Sequence, residues 1–281
     1  MFQNGLAWVV RNCGTLFYDI RDWDKEVSSL TTELTEEEKK SKFAKYYNRQ
    51  LKMPSVENLK AAQFDNPLPK DRLFKPEEFV KHMDSEEIDN IKSGYGLFDD
   101  GIGFSIARIR LDGLTDEKRQ YFTDNFIPEA DLFYKCWYPG MHMRHYIAGA
   151  VEDVGLGMEL INFLVPIGPE GWAGSPDYEY KDPLLIAVIG GGGVSWPLYD
   201  RFNHPRYCLQ GNWFRYLPDK SGIEIFITFW HGMGWENGKP VRKIPDDEKI
   251  SIDRVRSQFN HSIWEFTQLS ALINSFWEDN H

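Results

Sequence analysis

From residue 94 onward, short apolar or alternating runs recur at close intervals: Tyr95–Phe98, Phe104–Leu111, Leu132–Trp137, Tyr146–Val151, Leu160–Pro166, Leu184–Ile189, Trp213–Leu217 and Ile223–Trp230. Turn residues separate many of them, at Asp99-Asp100-Gly101, Pro139-Gly140, Gly168-Pro169 and Asp219-Lys220-Ser221-Gly222. Runs of this length and spacing predict an antiparallel sheet. One helix interrupts it, over Thr115–Asn125. The last segment differs: Asp253–Trp277 holds no Pro or Gly, and Val255, Phe259, Ile263, Phe266, Leu269, Leu272, Ile273 and Phe276 fall at helical spacings. One long amphipathic helix is predicted there.

The first 90 residues carry a weaker pattern. Residues 1–30 show no dominant period. Thr35-Glu36-Glu37-Glu38 has capping-box spacing and predicts a helix over Lys39–Tyr47. Pro54, Pro67, Pro69 and Pro76 punctuate an irregular stretch. Pro76-Glu77-Glu78 reads as a helix start, and Ser85–Lys92 as a second short helix ended by Gly94. The economical architecture is α+β: a helix-grip (Bet v 1-like) curved antiparallel sheet around the long C-terminal helix, residues 91–281, with an N-terminal helical extension, residues 1–90, packed on it. Sheet and helix in that arrangement enclose a cavity.

Charge narrows the function classes. Against 32 basic residues stand 43 acidic ones, a formal net charge of −11. That excess argues against nucleic acid as a partner, because phosphates need basic surface, and against anionic membrane surfaces. No apolar run approaches the length of a membrane span. The first ten residues lack a basic segment followed by a long apolar one, so no secretory signal is read. Three cysteines, Cys13, Cys136 and Cys208, make neither a disulfide framework nor a CxxC metal site, and the expected location is the cytoplasm. Aromatics reach 15%, enough for an aromatic-lined pocket or a thick core.

His261 and Glu265, four residues apart on the final helix, share a face and can both reach one metal ion. An ordinary ion pair on the helix is the simpler alternative. His142 and His145 follow a Pro-Gly turn at the end of a run, and Glu152 ends the next one. Two His and two Glu make a zinc set with room for water; Glu152 or Asp153 could instead pair with Arg144 or Arg108. The four glycines Gly190–Gly193 are followed by no helix start, so a loop is favoured over a phosphate site.

Several stretches together resemble the 2,4-diacetylphloroglucinol hydrolase family, which includes phloretin hydrolase. They are Gly94-Tyr95-Gly96-Leu97-Phe98-Asp99-Asp100-Gly101-Ile102-Gly103-Phe104 followed by Leu114-Thr115-Asp116-Glu117, then Tyr134-Lys135-Cys136-Trp137-Tyr138-Pro139-Gly140-Met141-His142. Next come Gly222-Ile223-Glu224 running to Phe229-Trp230-His231-Gly232, and the His261/Glu265 pair. The resemblance covers roughly residues 85–275. It implies the helix-grip fold and a zinc ion held by His142, Glu152, His261 and Glu265, with Glu159 as the alternative to Glu152 and another divalent metal in place of zinc also open. It implies hydrolysis of the carbon–carbon bond between an acyl group and a polyhydroxylated aromatic ring, releasing a carboxylic acid and the deacylated phenol. Tyr134 would contact substrate hydroxyls, with Trp137, Trp213 and Trp230 as further substrate-binding aromatics. His145, His204 or His231 would be the general acid or base.

The chain departs from the family at His145, where the family often carries Asn, and at Ile225–Thr228, where it tends to carry arginines. The segment between His142 and Glu152 is also short. These changes spare the metal set and alter the pocket. The expected partner is a small phenolic ketone, and a homodimer is one assembly open to the chain. Two other readings stay open: a non-hydrolytic cyclase, lyase or isomerase of polyketide-like aromatics on the same scaffold, and a binding protein for a hydrophobic ligand.

Overall fold

The computed structural model describes residues 32–83, 85–126, 129–147, 152–157, 161–163, 186–191, 208–236 and 239–281, together with strands at 2–3, 6–11 and 14–19. Those strands, β1 (Phe2–Gln3), β2 (Leu6–Arg11) and β3 (Gly14–Asp19), form a small antiparallel sheet of their own. The start of the chain is therefore not helical.

The helix expected over Lys39–Tyr47 is instead two 3₁₀ turns, Glu38–Lys40 and Ala44–Asn48. Its capping box does form: Glu38 N donates to Thr35 Oγ1, and Thr35 N donates to Glu38 Oε2. Extended Ser41 then breaks the helix, so that Phe43 and Tyr46 both reach the aromatic cluster of Phe126 and Phe276. Tertiary packing has overridden local propensity. Short helices α1 (Val56–Ala61) and α2 (Phe79–Met83) follow, the second opened by a 3₁₀ turn at Pro76–Glu78. Ser85–Lys92 contains only the 3₁₀ turn Glu86–Asn90.

The main sheet is antiparallel and five-stranded. It comprises β4 (Gly94–Leu97), β5 (Gly103–Asp112), β9 (Ile186–Gly191), β10 (Cys208–Tyr216) and β11 (Gly222–His231), in the order β4-β5-β11-β10-β9. Between β5 and β9 in the chain lie the expected helix α3 (Asp116–Asn125), capped by Thr115, helix α4 (Ala130–Trp137) and a second antiparallel sheet of β6 (His142–Ile147), β7 (Glu152–Gly157) and β8 (Ile161–Phe163). The expected strand over Leu132–Trp137 is thus a helix. Leu132 through Cys136 are all buried, the charged Lys135 included, and a short run with no exposed position carries little readable period. Gly190 and Gly191 are strand residues, paired with Gln210 and Leu209; Gly192 and Gly193 lie outside the described residues. A hairpin, β12 (Met233–Glu236) and β13 (Lys239–Arg242), precedes the final helix α5 (Ile252–Glu278).

Helix α5 covers one face of the main sheet. Val255, Phe259, Ile263, Phe266, Leu272, Ile273 and Phe276 pack with Ile109, Leu111, Ile223, Ile225, Ile227 and Phe229. Gly103 permits the close approach, since a Cβ there would collide with Val255. The opposite face is covered as well. Phe74, Phe79, Met83 and Ile88, from the segment before β4, pack on Phe104, Ile106, Leu209, Trp213, Phe226 and Trp230. Covering both faces explains why every residue of β11 is buried, an arrangement unusual for an antiparallel sheet. Among the described residues no helix is long and apolar enough to cross a membrane.

Glu224 sits on that second face, 2% exposed, and its carboxylate accepts from Arg108 Nε at 2.7 Å and Arg215 Nε at 2.8 Å. Asp89 joins both guanidinium groups at the rim. Removing one member of a buried ion network leaves the others desolvated without compensation. Glu224→Gln is therefore expected to lower stability by about 3 kcal/mol in urea unfolding, while leaving the opposite face untouched.

Candidate metal centre

Two elements bring the candidate ligands together. On α5, residues 261 and 265 stand one turn apart on the same face. The other element starts at α4. After Trp137 the chain reverses through Tyr138-Pro139-Gly140-Met141, with Gly140 at φ +79° and Met141 N donating to Tyr138 O at 3.1 Å. Proline second and a left-handed glycine third is type II turn chemistry. The reversal starts β6 at His142 and lays its ring back over α4.

The result is a buried cluster. One ligand atom each from His142, His261 and Glu265 lies within 4.8 Å of the others, and all three residues are buried. His142 Nε2 is 3.5 Å from Glu265 Oε1, and His261 Nε2 is 3.7 Å from Glu265 Oε2. Four ligands at about 2.1 Å around one zinc stand about 3.4 Å apart, so both separations are close to those of a coordination shell. His142 Nδ1 lies 3.0 Å from Tyr134 O. If that nitrogen carries the proton and donates to the carbonyl, Nε2 keeps its lone pair for a metal, the usual outer support of a ligating imidazole. Burial pushes His261 down to about 3, so its ring is neutral near pH 7, the form that ligates. Neither ring nitrogen of His261 has a hydrogen-bond partner among the described residues. Two imidazoles and a carboxylate converging on one buried point fit a divalent cation, zinc among them.

Aromatic rings wall the cluster. Tyr134, itself buried, stacks on His142 with centroids 3.8 Å apart. Trp137 lies edge-on to His142, and its Nε1 donates to the backbone oxygen of Glu265 at 2.7 Å. Tyr138 is half-buried, 5.1 Å from the His261 ring and 5.7 Å from that of His142. Burial, with the charge of Glu265 adding to it, pushes its hydroxyl up to about 12, which keeps it a proton donor.

The other expected site residues divide. Trp213 and Trp230 are fully buried on the sheet face away from α5, where Trp230 Nε1 donates to Phe74 O. Both pack in the core of that face, away from the candidate ligands: alternation along a strand shows that two faces exist but does not say which one meets the helix. His231 ends β11 on the α5 side, buried beside Phe229. His145 lies in β6 opposite Gly155. His204 and Glu159 fall outside the described residues. Glu152 opens β7, whereas the residue opposite His142 is Gly157, five positions further along. At about 3.4 Å per residue that is a backbone separation of about 17 Å.

Tyr138 and the Trp137–Glu265 bond are what sequence reasoning missed. Their signal was the spacing Tyr134, Tyr138, His142, every fourth residue running into the turn.

The fold and site together define the class: an α+β protein with a buried histidine–carboxylate cluster suited to a metal ion. No family model matches the chain. Compared with characterised proteins, it is similar to the phloretin hydrolase of Eubacterium ramulus, at 23% identity over 284 aligned residues, covering 92% of this chain and 97% of that protein.

Proposed function

We propose that the protein is a metal-dependent hydrolase of acylphenols, cleaving the carbon–carbon bond between an acyl carbonyl and a polyhydroxylated ring, with zinc as the metal. The observation that carries this reading is the convergence of His142, His261 and Glu265 on one buried point, in a chain similar along nearly its whole length to a phloretin hydrolase. The architecture is read as a helix-grip fold, residues 91–281, with residues 1–90 as an extension covering it.

A zinc ion so held supplies a water of lowered pKa or polarises the acyl oxygen. The chain's own groups do the rest. The Tyr138 hydroxyl, protonated at neutral pH, donates to a substrate oxygen, with Tyr134 beside it supporting His142. The departing ring carbon must take a proton as the bond to the acyl carbon breaks. Hydroxyls ortho to the acyl group make this possible, since the ring can ketonise and accept it there. A histidine supplies that proton, and His231 faces the same interior as His261, with His145 and His204 as the other candidates. The aromatic walls keep bulk water out.

The fourth ligand is read as Glu152, with Glu159 as the alternative. Zinc titrations of Glu152→Gln and Glu159→Gln decide between them: the ligand variant is expected to lose affinity by at least about 10-fold, the other to match wild type. Incubating the zinc-loaded protein with phloretin and with simpler acylphloroglucinols tests the reaction. Equimolar acid and phenol, abolished by a strong chelator and restored by zinc, are expected. Unchanged ketone across the series would favour a binding protein, and a product isomeric with the substrate a non-hydrolytic enzyme.

A further inference from the structure

Arg49 lies far from the candidate ligands in the chain but joins the two elements that carry them. Its guanidinium donates to the backbone oxygens of Cys136 and Trp137, the last two residues of α4, and of Gln268 in α5; the Trp137 bond is 2.9 Å and the Gln268 bond 3.3 Å. A fourth bond, to Tyr46 O at 3.2 Å, holds the side chain to its own segment. Gln268, fully buried one turn beyond Glu265, then returns the connection: Lys52 N donates to its Oε1 at 3.0 Å, and its Nε2 donates to Lys52 O at 2.6 Å.

We infer that Arg49 is a positioning residue for the metal centre: it fastens the end of α4 to α5 and so sets how far His142 stands from His261 and Glu265. Four residues separate Trp137 from His142, and the turn between them is tight, so a shift of the helix end moves the His142 ring. The same helix end carries the Trp137 bond to Glu265 O and the Tyr134 carbonyl that supports His142. Carbonyls at a helix C-terminus lack partners within the helix and carry its negative end, and a planar cation with several donors satisfies more than one of them at once. Lysine, a single point of charge, cannot span the two elements in this way. Burial lowers the pKa of Arg49 to about 10, which still leaves it charged at neutral pH. Sheet and helix alone therefore do not complete the site; residues 46–52 of the preceding segment are part of it.

The inference rests on the reading of His142, His261 and Glu265 as metal ligands, and the test separates the two. Zinc affinity is measured by competition with a chromogenic chelator for wild type, Arg49→Met and Arg49→Lys, with Glu224→Gln as a variant destabilised on the other face. Long-range ¹H–¹⁵N spectra of the imidazoles are recorded on the same proteins free of metal. Arg49→Met is expected to bind zinc about 10- to 100-fold more weakly, the range for losing an outer support, with Arg49→Lys intermediate and Glu224→Gln at wild-type affinity. A wild-type affinity in folded Arg49→Met would overturn the inference. If Arg49→Met does not fold, Arg49→Lys decides, a loss of about threefold or more supporting the inference and wild-type affinity overturning it. If wild type itself binds no zinc, the metal reading fails. The inference about Arg49 is then judged by the His142 signals, whose change in either Arg49 variant supports the fastening and whose constancy refutes it.

Discussion

Replacing His261 and Glu265 together by alanine is expected to take bound zinc from about one ion per chain to almost none. Activity toward acylphenols should then fall by at least about 10³-fold, the rate equivalent of the several kcal/mol that a metal contributes to charge stabilisation. Elemental analysis of protein purified without an affinity tag or added metal gives the first number, and steady-state kinetics the second. Two of the three buried candidate ligands disappear, and His142 alone, stacked on Tyr134 with Trp137 edge-on, cannot retain the ion. The fold should survive. The helix keeps its apolar face of Phe259, Ile263 and Phe266, and alanine is the best helix former. Full metal content in the double variant would place the ion elsewhere.

The largest effect on stability is expected on the other face of the sheet. Trp230 is completely buried among Phe74, Phe79 and Phe104 and donates to Phe74 O at 2.8 Å. Trp230→Ala opens a cavity and strands that carbonyl, so a loss of about 4–5 kcal/mol is expected in chemical denaturation. What remains folded should bind zinc as wild type does, because the two sites lie on opposite faces. Had Trp230 been a substrate-binding residue, the same substitution would instead raise KM with little change in stability.

The sequence showed some elements clearly and hid others for definite physical reasons. Helix α5 was legible because 27 residues without Pro or Gly keep one apolar face. Strand β11 was legible although it has no exposed face at all, because Ile223, Ile225, Ile227 and Thr228 are β-branched and Gly222 marks its start. Helix α4 buries all of Leu132–Cys136, the charged Lys135 included, and its short run Leu132–Trp137 passed for a strand. Of the candidate metal centre, His142, His261 and Glu265 were all legible, two by their spacing and the third by the turn before it. Arg49 was not. Its partners are backbone carbonyls of residues 87, 88 and 219 positions away, and no side-chain pattern records such contacts. Trp213 and Trp230 were legible as aromatics, but the face each occupies was not, because both faces of this sheet are covered.

The proposed reaction adds water across an acyl–aryl carbon–carbon bond. Turnover of an acylphloroglucinol in H₂¹⁸O, followed by mass spectrometry, tests it most directly. A carboxylic acid carrying one new labelled oxygen is expected, together with an equal amount of the deacylated phenol. Recovery of a single unlabelled product with the mass of the substrate, or of the substrate alone from protein loaded with zinc, would contradict it.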